Sequence, residues 1–286
     1  MGNGKMSEFD TPLPRTPKGF MFDLDGTLIL SDRSLGGYTA ISGAAETLAA
    51  LDARGIPWIA MTNGSAYPAS VQAPKLRAVG LPIRDERLFT PNSVAARAMV
   101  ERGYRSVLVL GMRSVIDALE QEGVPCVGPD DAAAHEADAV YAAWHPDCTM
   151  PHIHIACERV LEGAAFLTAS DIPYFASKDG RAFGYSCAIN GAVSRITGVE
   201  PEPCGKPSAL ALTMIAEQLG IAEEDVGVVG DDAVAEMQMA RAGGAIGIAV
   251  ASGSTNRAQW AAQPPERSPH LVIDSVQDLL AAGLIG

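Results

Sequence analysis

Basic residues are scarce in this chain of 286 residues: 21 Lys and Arg stand against 34 Asp and Glu, for a formal net charge of −13. A surface that acidic excludes sequence-independent binding to nucleic acid or to anionic membrane, both of which need basic patches. Cysteines are few, odd in number and unpaired in sequence: Cys126, Cys148, Cys157, Cys187 and Cys204 include no CxxC. That excludes a disulfide framework and a zinc ribbon, and fits reduced thiols in a cytoplasmic protein. No apolar run is long enough to span a bilayer. The opening "MGNGKMSEFDTPLPRTPK" lacks the apolar stretch of a secretory signal, and Met6 stands where a myristoylation motif wants Ser or Thr. Residues 1–16 read as a polar, Pro-containing tail.

What the chain does have is hydrophobic material, 48% of its residues, and enough length for two domains. Short β-like runs alternate with longer helical ones. "GFMFDL", "IPWIAM", "SVLVLG", "ADAVYAAW", "AAFLTAS", "DVGVVGDD" and "AIGIAV" read as strands. "GAAETLAALDARG", "PASVQAPKLRAVG" (interrupted or kinked near Pro74), "SVAARAMVERG", "RSVIDALEQEG", "PHIHIACERVLEG", "PSALALTMIAEQLG" and "AVAEMQMARAGG" read as helices. Such alternation predicts an α/β fold with parallel sheets and right-handed crossovers. In these sheets ligands bind beyond the carboxyl ends of the strands.

Four polar clusters end or follow those runs. In "GFMFDLDGTL" an apolar strand closes on Asp23 and Asp25, two carboxylates in a small volume. They demand a cation between them, a proton on one, or both; a solvated turn is the ordinary alternative. Thr62, Asn63 and Gly64 follow the second strand, where a hydroxyl and loop amides can bind phosphate oxygens. Lys206 lies between Gly205 and Pro207 at a helix start, a placement that speaks against the ordinary alternative of a solvated surface lysine without removing it. Asp231 and Asp232, with Glu236 further on, follow a buried strand. Consecutive acids there need a metal or hydrogen bonds, unless one of them caps a helix. Residues 89–191, between the second and third clusters, carry their own alternating pattern and read as an inserted domain. The core is then 1–88 with 192–286. "HPDCTMPHIH" holds metal-ligand residue types, but His152 and His154 splay apart on a helix, so a loop leading into a helix is the better reading.

The ordered set Asp23-x-Asp25-Gly-Thr, Thr62-Asn, Gly-Lys206-Pro and Gly-Asp231-Asp232 resembles the haloacid dehalogenase superfamily over nearly the whole chain. The long insert resembles its class IIA branch of sugar-phosphatase and p-nitrophenyl phosphatase-like hydrolases. The resemblance implies a Rossmann-like doubly wound parallel core with an inserted α/β cap. It also implies a Mg²⁺-dependent phosphatase that forms an aspartyl-phosphate on a small phosphorylated metabolite. Asp23 would be the nucleophile, Asp25 the acid and base, and Thr62 and Lys206 would bind the phosphoryl group. Leu24, Asn63, Gly64, His145 and Asp171 would contact substrate. Asp23, Asp25 (through its carbonyl) and Asp231 would hold the metal, with Asp232 and Glu236 orienting its waters. Two departures stand out. Glu236 occupies the place of the family's usual second Asp, and "TASDIPYF" replaces an Asn-Pro-Asp segment, so Asp171 is only an approximate counterpart. The segments His145–Thr149 and Ser170–Phe175 are the expected contact loops of the cap. The acid at Asp25 favours ester hydrolysis over dehalogenation. A phosphomutase or phosphotransferase with the same nucleophile, or a non-catalytic ligand-binding member, are the alternatives. The resemblance also allows a homodimer through the cap.

Overall fold

The computed structural model describes residues 13–32, 37–178, 180–281 and 284. Most of the expected tail, residues 1–12, lies outside them. Apolar strands that must be covered on both faces favour an all-parallel sheet. The central sheet meets this requirement with six parallel strands, in the order Leu271–Ile273, Ile246–Val250, Val226–Gly230, Gly19–Asp23, Trp58–Met61, Leu88–Phe89. Gly19–Asp23 and Val226–Gly230 are buried at every position and adjacent, so Asp23 and Asp231 emerge side by side at the carboxyl edge.

Four strands from the expected insert and one beyond its expected end at 191 build a second parallel sheet, in the order Glu202–Pro203, Ala165–Thr168, Ala139–Ala142, Val107–Leu110, Cys126–Val127. The fold is thus a doubly wound α/β core carrying an α/β cap, as expected. One apolar cluster belongs to the cap alone, with Leu108, Val140, Ile153, Phe166 and Val193. Another runs through both sheets, joining Met21 and Ile59 to Val107 and Tyr141. The cap therefore shares part of its apolar packing with the core.

Three elements differ from the sequence reading. The helix Ala69–Ala78 runs through Pro74 instead of breaking there, at the cost of the Ser70 carbonyl's intrahelical donor. A helix not anticipated, Tyr185–Thr197, packs against Met150–Leu161 and the strand Ala139–Ala142, and runs past residue 191. The "AVAEMQMARAGG" stretch begins with one π-helical turn, Ala233–Met237, before the α-helix Gln238–Ala242. A third sheet was also not anticipated. It joins two hairpins, Ile29–Ser31 with Tyr38–Ala40 from the core and Tyr174–Ser177 with Gly180–Phe183 from the cap side. The seam is a parallel pairing of Ser177 with Ser31.

Candidate active site

Strand ends from the core, and loops from the cap above them, enclose one cavity. Asp23, Asp25, Thr62, Asn63, Gly64, Lys206, Asp231, Asp232 and Glu236 all line it. Tight geometry fixes the floor. Gly26 has φ of +93°, and a Cβ there would lie 2.3 Å from Asp231 Oδ2. Only glycine lets the first loop pass beneath that carboxylate. Gly230 is similarly forced, since a Cβ would come within 2.2 Å of Glu236 Cγ.

Lys206, 1% exposed, is the hub. Its ammonium contacts Asp23 Oδ1, lies 2.8 Å from Glu236 Oε1 and donates to the Met61 carbonyl at 3.1 Å. Burial alone would lower its proton affinity, but the two carboxylates raise it, so it stays charged. Asp23 is pushed up by burial and pulled back by Lys206. Its Oδ2 and the Thr27 hydroxyl are both buried without a hydrogen bond of normal geometry. Asp25 is raised to about 7, first by burial and then by the Asp23 charge, against a hydrogen bond from Ser31. Burial and Asp23 likewise raise Asp231 to about 8. The crowding of carboxylates is thus met in part by one ammonium and in part by carboxyls that hold their protons more tightly.

Hydrogen bonds hold the remaining side chains of the site. Asp232 caps the π-helical turn, its Oδ1 accepting from Val234 N and Ala235 N at 2.7 and 2.8 Å. Glu236 pairs with Lys206 and accepts from Asp232 N at 2.9 Å through Oε2. Asn63 ties elements together: its Oδ1 accepts from Lys206 N at 2.7 Å, and its Nδ2 donates to the Lys206 carbonyl at 2.9 Å and to Ser170 Oγ at 3.3 Å. Thr62 Oγ1 accepts from Gly64 N at 2.9 Å, leaving its own proton for another acceptor. Leu24 is buried and does not line this cavity; it lines a smaller neighbouring one that shares Asp25, Thr62 and Gly64.

His145 and Asp171 do not line the cavity; Trp144, Ser170 and Ile172, their neighbours in sequence, do. The His145 ring stacks on His152, whose Nδ1 accepts from Thr149 N at 3.3 Å and so helps to cap the following helix. Asp171 is exposed. Sequence reasoning also missed Ser31, Ser65 and Ser254. Ser31 could have been flagged as the polar residue closing the apolar run "TLIL", and Trp144 as the residue just past a strand's carboxyl end.

Among the described residues no group of three or more His, Cys, Asp or Glu side chains is arranged to hold a metal ion. Two carboxylates and one main-chain carbonyl need no such group. The oxygen-only donors and the buried, unpaired Asp23 Oδ2 fit a hard cation such as Mg²⁺. No helix among the described residues is long and apolar enough to cross a membrane.

A parallel sheet with an inserted cap, and carboxylates clustered around a lysine at its carboxyl edge, define a capped α/β hydrolase. The chain belongs to the haloacid dehalogenase-like hydrolases, in the class IIA group with a large α/β cap. The model of that family matches residues 20–125 and a HAD-hydrolase-like model matches 203–279, together more than half of the chain. The 5'-nucleotidase YutF of Bacillus subtilis is 26% identical over 244 residues, 85% of this chain and 90% of its own. The sugar-phosphatase AraL of the same organism is 25% identical over 277 residues, 96% and 95% of the two chains. The solved structure of a p-nitrophenyl phosphatase from Archaeoglobus fulgidus superposes with a TM-score of 0.80 at 25% identity, covering 94% of this chain and all of that one.

Proposed function

We propose that the protein is a phosphoric monoester hydrolase that uses Asp23 as nucleophile on a small phosphorylated metabolite. The carrying observation is the contact of the buried Lys206 ammonium with one of two crowded carboxyls that stand two residues apart. Burial raises the Asp23 carboxyl, but the Lys206 ammonium in contact with its Oδ1 opposes that and favours the carboxylate form, whereas Asp25, whose Oδ1 accepts from the neutral Ser31 hydroxyl, is raised to about 7 by burial and then by Asp23. One is suited to attack and the other to hold a proton. Relatives named as a 5'-nucleotidase and a sugar-phosphatase support the reaction class.

An Asp23 oxygen forms a bond to phosphorus as the bond to the leaving oxygen breaks, and Asp25 gives that oxygen its proton. The Asp25 carboxylate then takes a proton from water as the water attacks phosphorus of the aspartyl-phosphate. Phosphate leaves, and both carboxyls are restored. Lys206 and the Thr62 hydroxyl face the phosphoryl oxygens and offset their charge. Asp23, Asp231 and the main-chain carbonyl of Asp25 would hold Mg²⁺. When bound it supplies positive charge to the phosphoryl oxygens. Asp232 and Glu236 hold the loop that carries Asp231 and the position of Lys206.

The insert, 89–191, acts as a lid that presents Trp144 and the 170–175 segment to the leaving group and excludes water. Specificity comes from this roof, because the phosphoryl end is common to all candidate substrates. Asp23→Asn keeps the volume and removes the nucleophile. It should abolish phosphate release from a panel of monoesters with Mg²⁺ supplied. Release at the wild-type rate would overturn the assignment.

A further inference from the structure

Away from the carboxylates the cavity wall changes character. It is built by Trp144, Ile172, Tyr174 and Phe175, with Ser170 and Ser186 between them. Trp144 sits just past the strand Ala139–Ala142. Its ring meets Tyr185 edge-on with centroids 4.5 Å apart, and lies tilted against Phe175 at 6.5 Å. An indole fixed on two sides can receive a ring without losing further rotamer freedom.

The two nearby serine hydroxyls are engaged in bonds within the fold. Ser186 Oγ donates to the Ser170 carbonyl at 2.9 Å. Ser170 Oγ accepts from Asn63 Nδ2 at 3.3 Å and from Ile172 N at 3.1 Å. Among the described residues Lys206 is the one cationic side chain lining the cavity, and it is held between Asp23 and Glu236. A second anionic group on the leaving alcohol would be desolvated against aromatic carbon, close to several carboxyls and with no cation of its own. That placement is costly.

We infer that the substrate is a phosphate monoester whose leaving alcohol is uncharged and carries a planar aromatic or heteroaromatic ring that packs on Trp144. This rests on the phosphatase reading above and adds the leaving group to it. The chemical step is unchanged; the ring selects which ester is held in line with Asp23.

The test compares kcat/KM, by phosphate release with Mg²⁺, for benzyl phosphate, glycerol 3-phosphate and 2-phosphoglycolate. All three expel a primary alkoxide, so the demand on the acid is similar. Benzyl phosphate should lead glycerol 3-phosphate by about tenfold, the scale of one aromatic contact, and 2-phosphoglycolate should be the poorest. Trp144→Ala should cost benzyl phosphate about tenfold, through KM, and glycerol 3-phosphate much less. Trp144→Phe should retain most of the preference.

A second variant, Ile172→Arg, adds a cation to the wall and should raise 2-phosphoglycolate relative to benzyl phosphate. Wild-type enzyme that turns over 2-phosphoglycolate as well as benzyl phosphate would overturn the inference, as would equal losses on benzyl and glycerol esters in Trp144→Ala. Those failures leave the phosphatase reading standing. Absence of phosphate release from every ester by the wild type would remove both.

Discussion

Ser31 Oγ donates a hydrogen bond to Asp25 Oδ1, and Ser31 is also the seam residue between core and cap. Its carbonyl accepts from Lys178 N at 2.8 Å, and it pairs with Ser177 in the shared sheet. With Oδ1 accepting, the transferable proton of Asp25 belongs on Oδ2. The serine bonded to Asp25, the proposed acid, is thus held by the hairpin on the cap side.

Ser31→Ala should therefore harm esters of poor leaving groups most. A loss of about tenfold to a hundredfold on alkyl phosphates is expected, part of what a general acid contributes. The loss on p-nitrophenyl phosphate should be smaller, because its phenolate needs little protonation. The measurement is the slope of log kcat/KM against leaving-group pKa. A parallel displacement with unchanged slope would deny Ser31 this role.

Lys206→Met should lower stability as well as activity. It leaves Asp23 and Glu236 buried without their shared cation, and breaking a buried pair costs about 3–5 kcal/mol. Adding Glu236→Gln should recover part of the loss, because one of the stranded charges is gone. Denaturant unfolding of the single and double variants measures this. A double variant less stable than Lys206→Met would contradict the picture of a charge hub.

Activity should vanish with chelator, return with Mg²⁺ and be poorly supported by Ca²⁺. Calcium takes more ligands at longer distances and would tend to draw both oxygens of Asp23 into its shell. Full activity in Ca²⁺ alone would contradict the proposed ligand set of Asp23, Asp25 and Asp231.

Asp138 gives a pH test away from the site. Burial pushes its carboxyl up, but the backbone N–H groups of Arg105 and Ser106 and the Arg105 guanidinium outweigh that and hold it below its ordinary value. A depressed carboxyl stabilises the fold fully above its unfolded value of about 3.9 and loses that contribution as pH falls through the lower folded value. The Tm gap between wild type and Asp138→Ala should thus be steady at neutral pH and shrink in acid. A gap that widens in acid would be the wrong sign.

The floor of the candidate site was legible because its residues break a pattern. Asp23, Thr62 and Asp231 are polar residues closing apolar runs, and the parallel fold gathers such ends on one edge. The roof was much less so. Ser31 and Ser177 meet through strands of three and four residues, far apart in sequence, too short for periodicity to reveal. Asp232 and Glu236 were expected around metal-bound water. Their local geometry was not foreseen: a π-helical turn, which an α-helical pattern does not suggest, has Asp232 as its cap and carries Glu236 to Lys206. The helix Tyr185–Thr197 holds Gly191 and polar Ser186 and Asn190, weak helix formers. Packing against Met150–Leu161 outweighs that propensity.

The central claim is that phosphate passes through Asp23. Enzyme mixed with an excess of ³²P-labelled monoester and Mg²⁺, then quenched in acid during turnover, tests it most directly. The account predicts label bound to the protein, released by hydroxylamine as an acyl phosphate should be, and absent from Asp23→Asn. Turnover without trapped label in the more slowly dephosphorylating Asp25→Asn variant, or label persisting in Asp23→Asn, would contradict it.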